Sequence, residues 1–371
     1  MPKLSAFAIL GCAALALASA CGGSDTAPGR LAFYSDRFGN RVVYASDPTG
    51  SSLTYLTANV AWDSFPVWSP DGTRVAFYSL SDDNREIYVA KADGSGVVNL
   101  TDDPAEDAFP AWSPDGARVV FYSDRDGSGD VYVMNADGSD VVRLTDNPAV
   151  DFPYAWSPDG ARIAFGSLRD GDLEIYVMNA DGSGKNRLTR NPGDDYDPVW
   201  SPDGTRIAFV SQRDGNADIY LADANGSRQI NLTVRSLSDS FPSWSPRGDR
   251  IVFISQRDGN AEIYVMDVTF SFLTRVTRAA REDAWPAWSP DGTRLAFASN
   301  RDFNFEIYIA NADGSAQTRL TEDPAPDRAP AWSPDGSRIA FETFREGRSE
   351  IFVVNADGSG LRRLTKSPPA P

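Results

Sequence analysis

One phrase, Trp68-Ser69-Pro70-Asp71-Gly72, constrains everything else, because its tryptophan returns at Trp112, Trp156, Trp200, Trp244, Trp288 and Trp332, always 44 residues apart. A period of that length, held without slippage, defines a repeat architecture in which each unit is one supersecondary element. No single unit can bury its own apolar faces, so neighbours must do it.

The physics of one unit follows from residues 65 to 101. Phe65-Pro66-Val67-Trp68 is a short apolar run, strand A, stopped at Ser69-Pro70-Asp71-Gly72. There proline fixes a turn φ and glycine supplies the positive φ of a tight hairpin. Arg74 to Ser79 is rich in β-formers and gives strand B, Asp82-Asp83-Asn84 turns the chain, and Glu86 to Ala90 gives strand C. Ala92-Asp93-Gly94-Ser95 is a second hairpin turn, leading into strand D at Val98 to Thr101. No segment carries the apolar period of a helix.

Strand B alternates bulky and small side chains: Val75 and Phe77 point one way and Ala76 the other, which suits a large face on the small face of the next sheet. Its phenylalanine recurs eight times, from Phe33 to Phe341, and strand C carries Tyr44 through Tyr308 and then Phe352 at the same spacing. Four-stranded all-β units of this size describe a β-propeller. The first repeat, Arg30 to Thr57, lacks a W-S-P strand, so strands B, C and D occur eight times and strand A seven. The expectation is eight four-stranded blades with one incomplete; seven blades plus a hairpin is the alternative. Ser24 to Ala27 or the C-terminal tail would supply the missing strand, although Pro368, Pro369 and Pro371 suit pairing poorly.

The 371 residues carry 35 basic and 52 acidic side chains, a net charge of −17, with no histidine. That balance argues against nucleic acid as a partner, and the lack of histidine removes every histidine-based triad and metal site. Both cysteines, Cys12 and Cys21, lie near the N-terminus. Lys3 supplies a positive n-region, Leu4 to Leu17 an apolar run, and Ala18-Ser19-Ala20-Cys21 a small-residue cleavage site. Residues 1–20 resemble a bacterial lipoprotein signal peptide, with Cys21 the lipidated residue; an ordinary secretory signal is the alternative. Residues 21–29 then form a small, polar tether, 30–365 the propeller and 366–371 a proline-rich tail.

The motifs W-S-P-D-G-x-R-[IV]-A-F, E-I-Y-V-M-N-A-D-G-S and R-L-T resemble the TolB-like propeller family over residues 30 to 365. The resemblance implies a propeller of the bacterial cell envelope that works through protein contacts. The repeats depart from TolB in having no α/β domain before them and no closing W-S-P strand after them. Similar repeats occur beside the hydrolase domain of prolyl-oligopeptidase-like peptidases, but no G-x-S-x-G nucleophile turn is present here.

Strand alternation puts the A–B and C–D turns on one face of the disc and the B–C turns and D-to-A links on the other. On the second face one residue recurs in every full copy: Asp63, Asp107, Asp151, Asp195, Asp239, Asp283 and Asp327. These are candidates for a carboxylate ring at the channel mouth, able to hold Ca2+ or a cationic peptide end. They are equally candidates for pairing with Arg125, Arg169, Arg213, Arg257, Arg301 and Arg345 of the same face, since unpaired like charges would repel. The acidic turn Asp124 to Asp130 looks like a calcium loop but doubles as hairpin chemistry. Four phenylalanines, Phe38, Phe303, Phe305 and Phe344, replace small or polar residues in the B–C turns of copies one, seven and eight, which a closed ring makes neighbours. They are a candidate partner patch, and Asp267 to Phe272 is a second departure, on the opposite face.

The expected function is a lipid-anchored envelope propeller, facing the periplasm or the surface, whose domain is monomeric and binds a protein or peptide without catalysis or a cofactor. The contrasting expectation is a carbohydrate-active or other hydrolytic propeller using mouth carboxylates as acid and base. Near-identical surroundings for the aspartates argue against that, because the two roles need separated pKa values.

Overall fold

The computed structural model describes residues 16–17, 31–35, 42–47, 53–56, 62–80, 84–234, 237–269, 272–345, 347 and 349–364. They form eight four-stranded sheets, each made of consecutive strands in chain order, and the sheets close into an eight-bladed propeller. Blade 2 shows the pattern: strand A is Trp62–Trp68, B Arg74–Leu80, C Arg85–Lys91 and D Val98–Asn99. Strand D is shorter than its sequence suggests because a side chain replaces its last rung. The Ile87 N–H donates to Thr101 Oγ1 at 3.0 Å, and the substitution recurs at Thr145, Thr189, Thr233, Thr277 and Thr321. This explains the R-L-T motif: the threonine hydroxyl in turn donates to a buried acid opening strand C, as Thr189 does to Glu174 at 2.6 Å, while Arg187 bonds the other oxygen at 2.6 Å.

The core lies between blades. Ala164, Ile175, Val177 and Leu188 of blade 4 pack against Trp200, Ile207, Phe209 and Tyr220 of blade 5, and the same small-on-large pattern recurs from blade to blade. Six of the seven motif tryptophans also reach back: the indole N–H of Trp112 donates to Val67 O at 3.1 Å, and Trp156, Trp200, Trp244, Trp288 and Trp332 repeat the bond on the preceding blade. From the other side an arginine covers the ring. Arg162 lies 4.7 Å from the Trp200 ring centroid and donates to Gly204 O at 2.7 Å, tying the P-D-G turn of one blade to strand B of the blade before.

Blade 1 is the exception. Its strand A is only Ala16–Leu17, paired with Ala32 and Leu31, which is the incomplete blade expected from the repeat count. Ser24 to Ala27 and the tail, named above as donors of this strand, lie outside the described residues, as does Cys21. Ala16 and Leu17 belong to the apolar run assigned to the signal peptide, so a chain cut before Cys21 would keep three strands in this blade. The ring closes where Phe33, Val42 and Tyr44 of blade 1 meet Ala340, Ile351, Val353 and Leu364 of blade 8. Among the described residues no strand is exchanged at this seam, since each of the two sheets comes from one continuous stretch.

Candidate functional site

Strands A of neighbouring blades touch one another around the axis, so what departs from regularity on them shapes the channel. Every full strand A, from blade 2 to blade 8, contains a bulge, and proline is its cause. Pro66, Pro110, Pro198, Pro242, Pro286 and Pro330 cannot donate to the ladder, and the register slips there, as between Ser64 and Val67. The residue before each proline turns to positive φ: Phe65 (54°), Phe109 (56°), Asp197 (51°), Phe241 (56°), Trp285 (52°) and Ala329 (48°). Six non-glycine residues in that region, one in each of blades 2, 3, 5, 6, 7 and 8, mark a strained ring at the end of the channel that carries the B–C turns. Blade 4 differs because its proline, Pro153, comes one position earlier and Tyr154 occupies the bulge.

The ring is chemically uneven. In blades 2 and 3 Phe65 stacks on Tyr78 (centroids 5.4 Å) and meets Phe109 edge-on (5.5 Å). In blade 4 Phe152 and Tyr154 pack together at 5.1 Å over Gly166, which stands where blades 2 and 3 have Tyr78 and Tyr122. Blade 5 contributes a carboxylate, Asp197. It is open to water yet hemmed by the channel wall, and the lost bulk solvent raises its pKa. The phenol of Tyr154 is likewise raised, first by burial and then by the Asp197 charge.

Blades 7 and 8 supply the opposite pole. The Arg328 guanidinium lies 5.6 Å from the Phe305 ring centroid and 5.9 Å from each of Trp285 and Phe344. Trp285 and Phe305 meet edge-on at 5.4 Å. Arg328 makes no ion pair among the described residues, and its buried Nε lacks a hydrogen-bond acceptor. Beside this cluster Phe303 stands 83% exposed at a φ of 75°, where the corresponding residues of blades 3 to 6 are the glycines Gly127, Gly171, Gly215 and Gly259. Arg281 covers its ring at 4.2 Å.

Set against the sequence, the phenylalanine patch divides. Phe305 and Phe344 are gathered around Arg328, Phe303 projects nearby, and Phe38 lies outside the described residues. Trp285 and Arg328 escaped sequence reasoning. The signal for them was the variable pair between the invariant aspartate and the proline of each strand A.

The carboxylate ring needs correction as a ligand site. Asp63, Asp107, Asp151, Asp195, Asp239, Asp283 and Asp327 are all 0% exposed. Six pair with the arginine of the same blade's B–C turn, at 3.0 Å for Asp107–Arg125, 2.7 Å for Asp151–Arg169 and 2.9 Å for Asp327–Arg345. In blade 2 the matching position is Ser81, which lies outside the described residues. Buried carboxylates with guanidinium partners present no oxygen to a ligand, so their role is to fasten the B–C turn to strand A. Burial outweighs the arginine: the carboxyl of Asp107 is pushed up to about 6, and those of Asp151, Asp195, Asp239, Asp283 and Asp327 are raised for the same reason. The acidic turn of blade 3 is hairpin chemistry: Asp126 accepts from the Tyr132 hydroxyl, and Asp130 holds Thr145 at 2.8 Å and Arg143 at 2.6 Å.

A family model described as a TolB beta propeller domain matches residues 30–152, 146–284 and 260–368. No curated protein matches the sequence significantly. Among solved structures, the putative TolB from Agrobacterium tumefaciens is 24% identical, covering 61% of this chain and 84% of its own, with a TM-score of 0.46. An oligogalacturonate lyase from Vibrio parahaemolyticus is 13% identical, covering 90% and 98%, with a TM-score of 0.60. Dipeptidyl peptidase 4 of Porphyromonas gingivalis is 13% identical, covering 95% of this chain and 60% of its own, with a TM-score of 0.70. At such identities the likeness to these structures concerns the fold.

Proposed function

This chain belongs to the TolB beta propeller domain family, and from that premise we propose that it is a non-catalytic scaffold of the bacterial envelope that captures a protein or peptide segment at the channel mouth of blades 7 and 8. The observation that carries the reading is Phe303, an aromatic side chain held 83% exposed at a backbone angle that glycine fills elsewhere. Strain of this kind, costing ~1–3 kcal/mol, persists where something other than stability keeps it. Next to it Trp285, Phe305 and Phe344 offer rings, and Arg328 offers a cation that makes no ion pair among the described residues, the mixture that anchors interfaces. The role requires no cofactor. In this reading Cys21 carries the lipid, the domain acts as a monomer, and residues 21–29 tether it to the membrane.

Affinity capture from envelope extracts tests the reading. Phe303→Ser should lose the partner that the parent protein retains, while melting at an unchanged or higher temperature; undiminished capture discards the patch. Metabolic labelling with palmitate, absent in Cys21→Ser, tests the anchor. A heat or a thermal shift on adding calcium would contradict a cofactor-free role.

A catalytic alternative is favoured by one observation, the raised carboxyl of Asp197 beside Tyr154 in the channel. Propellers of similar fold include an oligogalacturonate lyase. Cleavage of a polyuronate by this protein, lost in Asp197→Asn, would replace the scaffold reading with that one.

A further inference from the structure

Two crevices on the outer rim, away from the channel, share a construction that no other pair of blades has. One lies between blades 4 and 5, about 450 Å³, and brings together Arg187, Arg190, Arg213 and Gln229. The other lies between blades 6 and 7, about 440 Å³, and brings together the corresponding Arg275, Arg278, Arg301 and Gln317. The position of Arg190 and Arg278 is alanine, aspartate, valine, glutamate or lysine in the remaining repeats, and that of Gln229 and Gln317 is leucine, valine or lysine. Arginine and glutamine therefore occur together in these two clefts alone.

The glutamine alters the neighbouring arginine. Arg213 donates to Gln229 Oε1 at 2.7 Å and Arg301 to Gln317 Oε1 at 2.8 Å. In those two blades the contact to the buried aspartate lengthens to 3.4 and 3.5 Å, against 2.7 to 3.2 Å for Arg125, Arg169, Arg257 and Arg345. Each glutamine is itself held across the cleft, donating to Leu188 O at 2.6 Å or Val276 O at 2.8 Å. One guanidinium is thus drawn toward the crevice. Arg187 and Arg275 face it while bound to carboxylates behind, and the exposed Arg190 and Arg278 make no ion pair among the described residues. In a chain of net charge −17, three converging guanidinium groups select an oxyanion. The one acid in the lining, Asp313, is turned to its own loop, accepting from the Ser315 N–H at 2.9 Å and hydroxyl at 2.6 Å.

We propose that each crevice binds one sugar-acid unit, so that the two together grip a polyanionic glycan along the rim. The remaining lining favours a hydroxylated ligand over an apolar peptide side chain: Asn186, Asn191, Asn225, Ser227 and Gln229 line the first crevice, Ser315, Gln317 and the Gly314 turn stand beside Val276 and Ala279 in the second, and neither contains an aromatic ring. Two like sites two blades apart suit a repeating polymer, whose second contact is intramolecular.

Calorimetric titration of the full chain with sodium glucuronate, alginate oligomers, inorganic phosphate and poly-L-glutamate tests this. Glucuronate should bind weakly at two equal sites, and alginate long enough to span both should bind at least tenfold more tightly, with an affinity that falls as salt rises. Arg190→Gln should leave one glucuronate site, and Arg190→Gln with Arg278→Gln none, without changing the melting temperature. Gln229→Leu should weaken the first site alone. Silence toward glucuronate, or unchanged binding in the double variant, overturns the proposal. Poly-L-glutamate binding as tightly as alginate, or phosphate binding where glucuronate does not, overturns the glycan assignment. The crevice of blades 4 and 5 lies on other blades than Phe303, so loss of partner capture in Phe303→Ser and loss of the glucuronate site in Arg190→Gln are separate results.

Discussion

Among single residues, the motif tryptophan is where sequence and energy meet most directly. Trp200 is 9% exposed, packs on blade 4 and donates its indole N–H to Ala155 O. Trp200→Ala removes that packing and leaves a cavity between two sheets, so it should cost ~3–5 kcal/mol in urea unfolding. The less deeply buried Trp288 should cost measurably less. The buried aspartates give a second test, through pH. The folded chain keeps a proton on Asp107 up to about pH 6, whereas the unfolded chain releases it near the ordinary 3.8. The contribution of this group to stability is therefore greatest below 3.8 and is lost as pH rises through 6. Melting temperatures of Asp107→Asn between those limits should show a flatter fall than the parent, whatever their absolute values. The turn aspartates run the other way. Hydroxyl and amide donors hold Asp203 and Asp291 at about 2, so their support is present above 3.8 and disappears on strong acidification.

For strands and turns, legibility depended on whether the cause lay in adjacent residues. The hairpins at Pro70-Asp71-Gly72 and Ala92-Asp93-Gly94 could be read directly, because turn chemistry is local. The Asp–Arg pairs were legible as one of two readings, since the period of 44 placed both members on one face. The strand A bulges were not, because nothing in Asp-x-x-Pro announces that Phe109 or Trp285 will take positive φ. Nor was the grouping of Trp285, Phe305, Arg328 and Phe344, which draws on two strands and two turns in two blades. The blade 7 turn carries a testable cost. Phe303→Gly restores the residue that blades 3 to 6 use at this angle and should stabilise the protein by ~0.5–1 kcal/mol in urea melts, because glycine meets no Cβ penalty there. If the variant is destabilised, the exposed ring makes packing contacts that outweigh the strain.

At the level of the whole molecule, eight blades are joined by seven junctions of one kind and a seam of another. At the seam Phe33, Tyr44 and Leu364 pack well, but the tryptophan position of the repeat is Ser24, so the sequence offers no indole to reach Ala331 of blade 8. Blade 1 contributes a two-residue strand A where blade 5 has Asp195–Trp200. Local opening follows the least supported elements, so amides of Leu31–Ser35 should exchange with deuterium well before those of Arg206–Ser211, the matching strand of blade 5. Equal protection of the two would show the seam to be as strong as the other junctions. Among the described residues the two ends abut without hooking, and such a hoop differs in kind from one that is latched. A latched hoop accepts only what is threaded through its hole, whereas an abutting one can be sprung apart and slipped sideways over a cord, so a long polymer would not have to offer a free tip to be encircled.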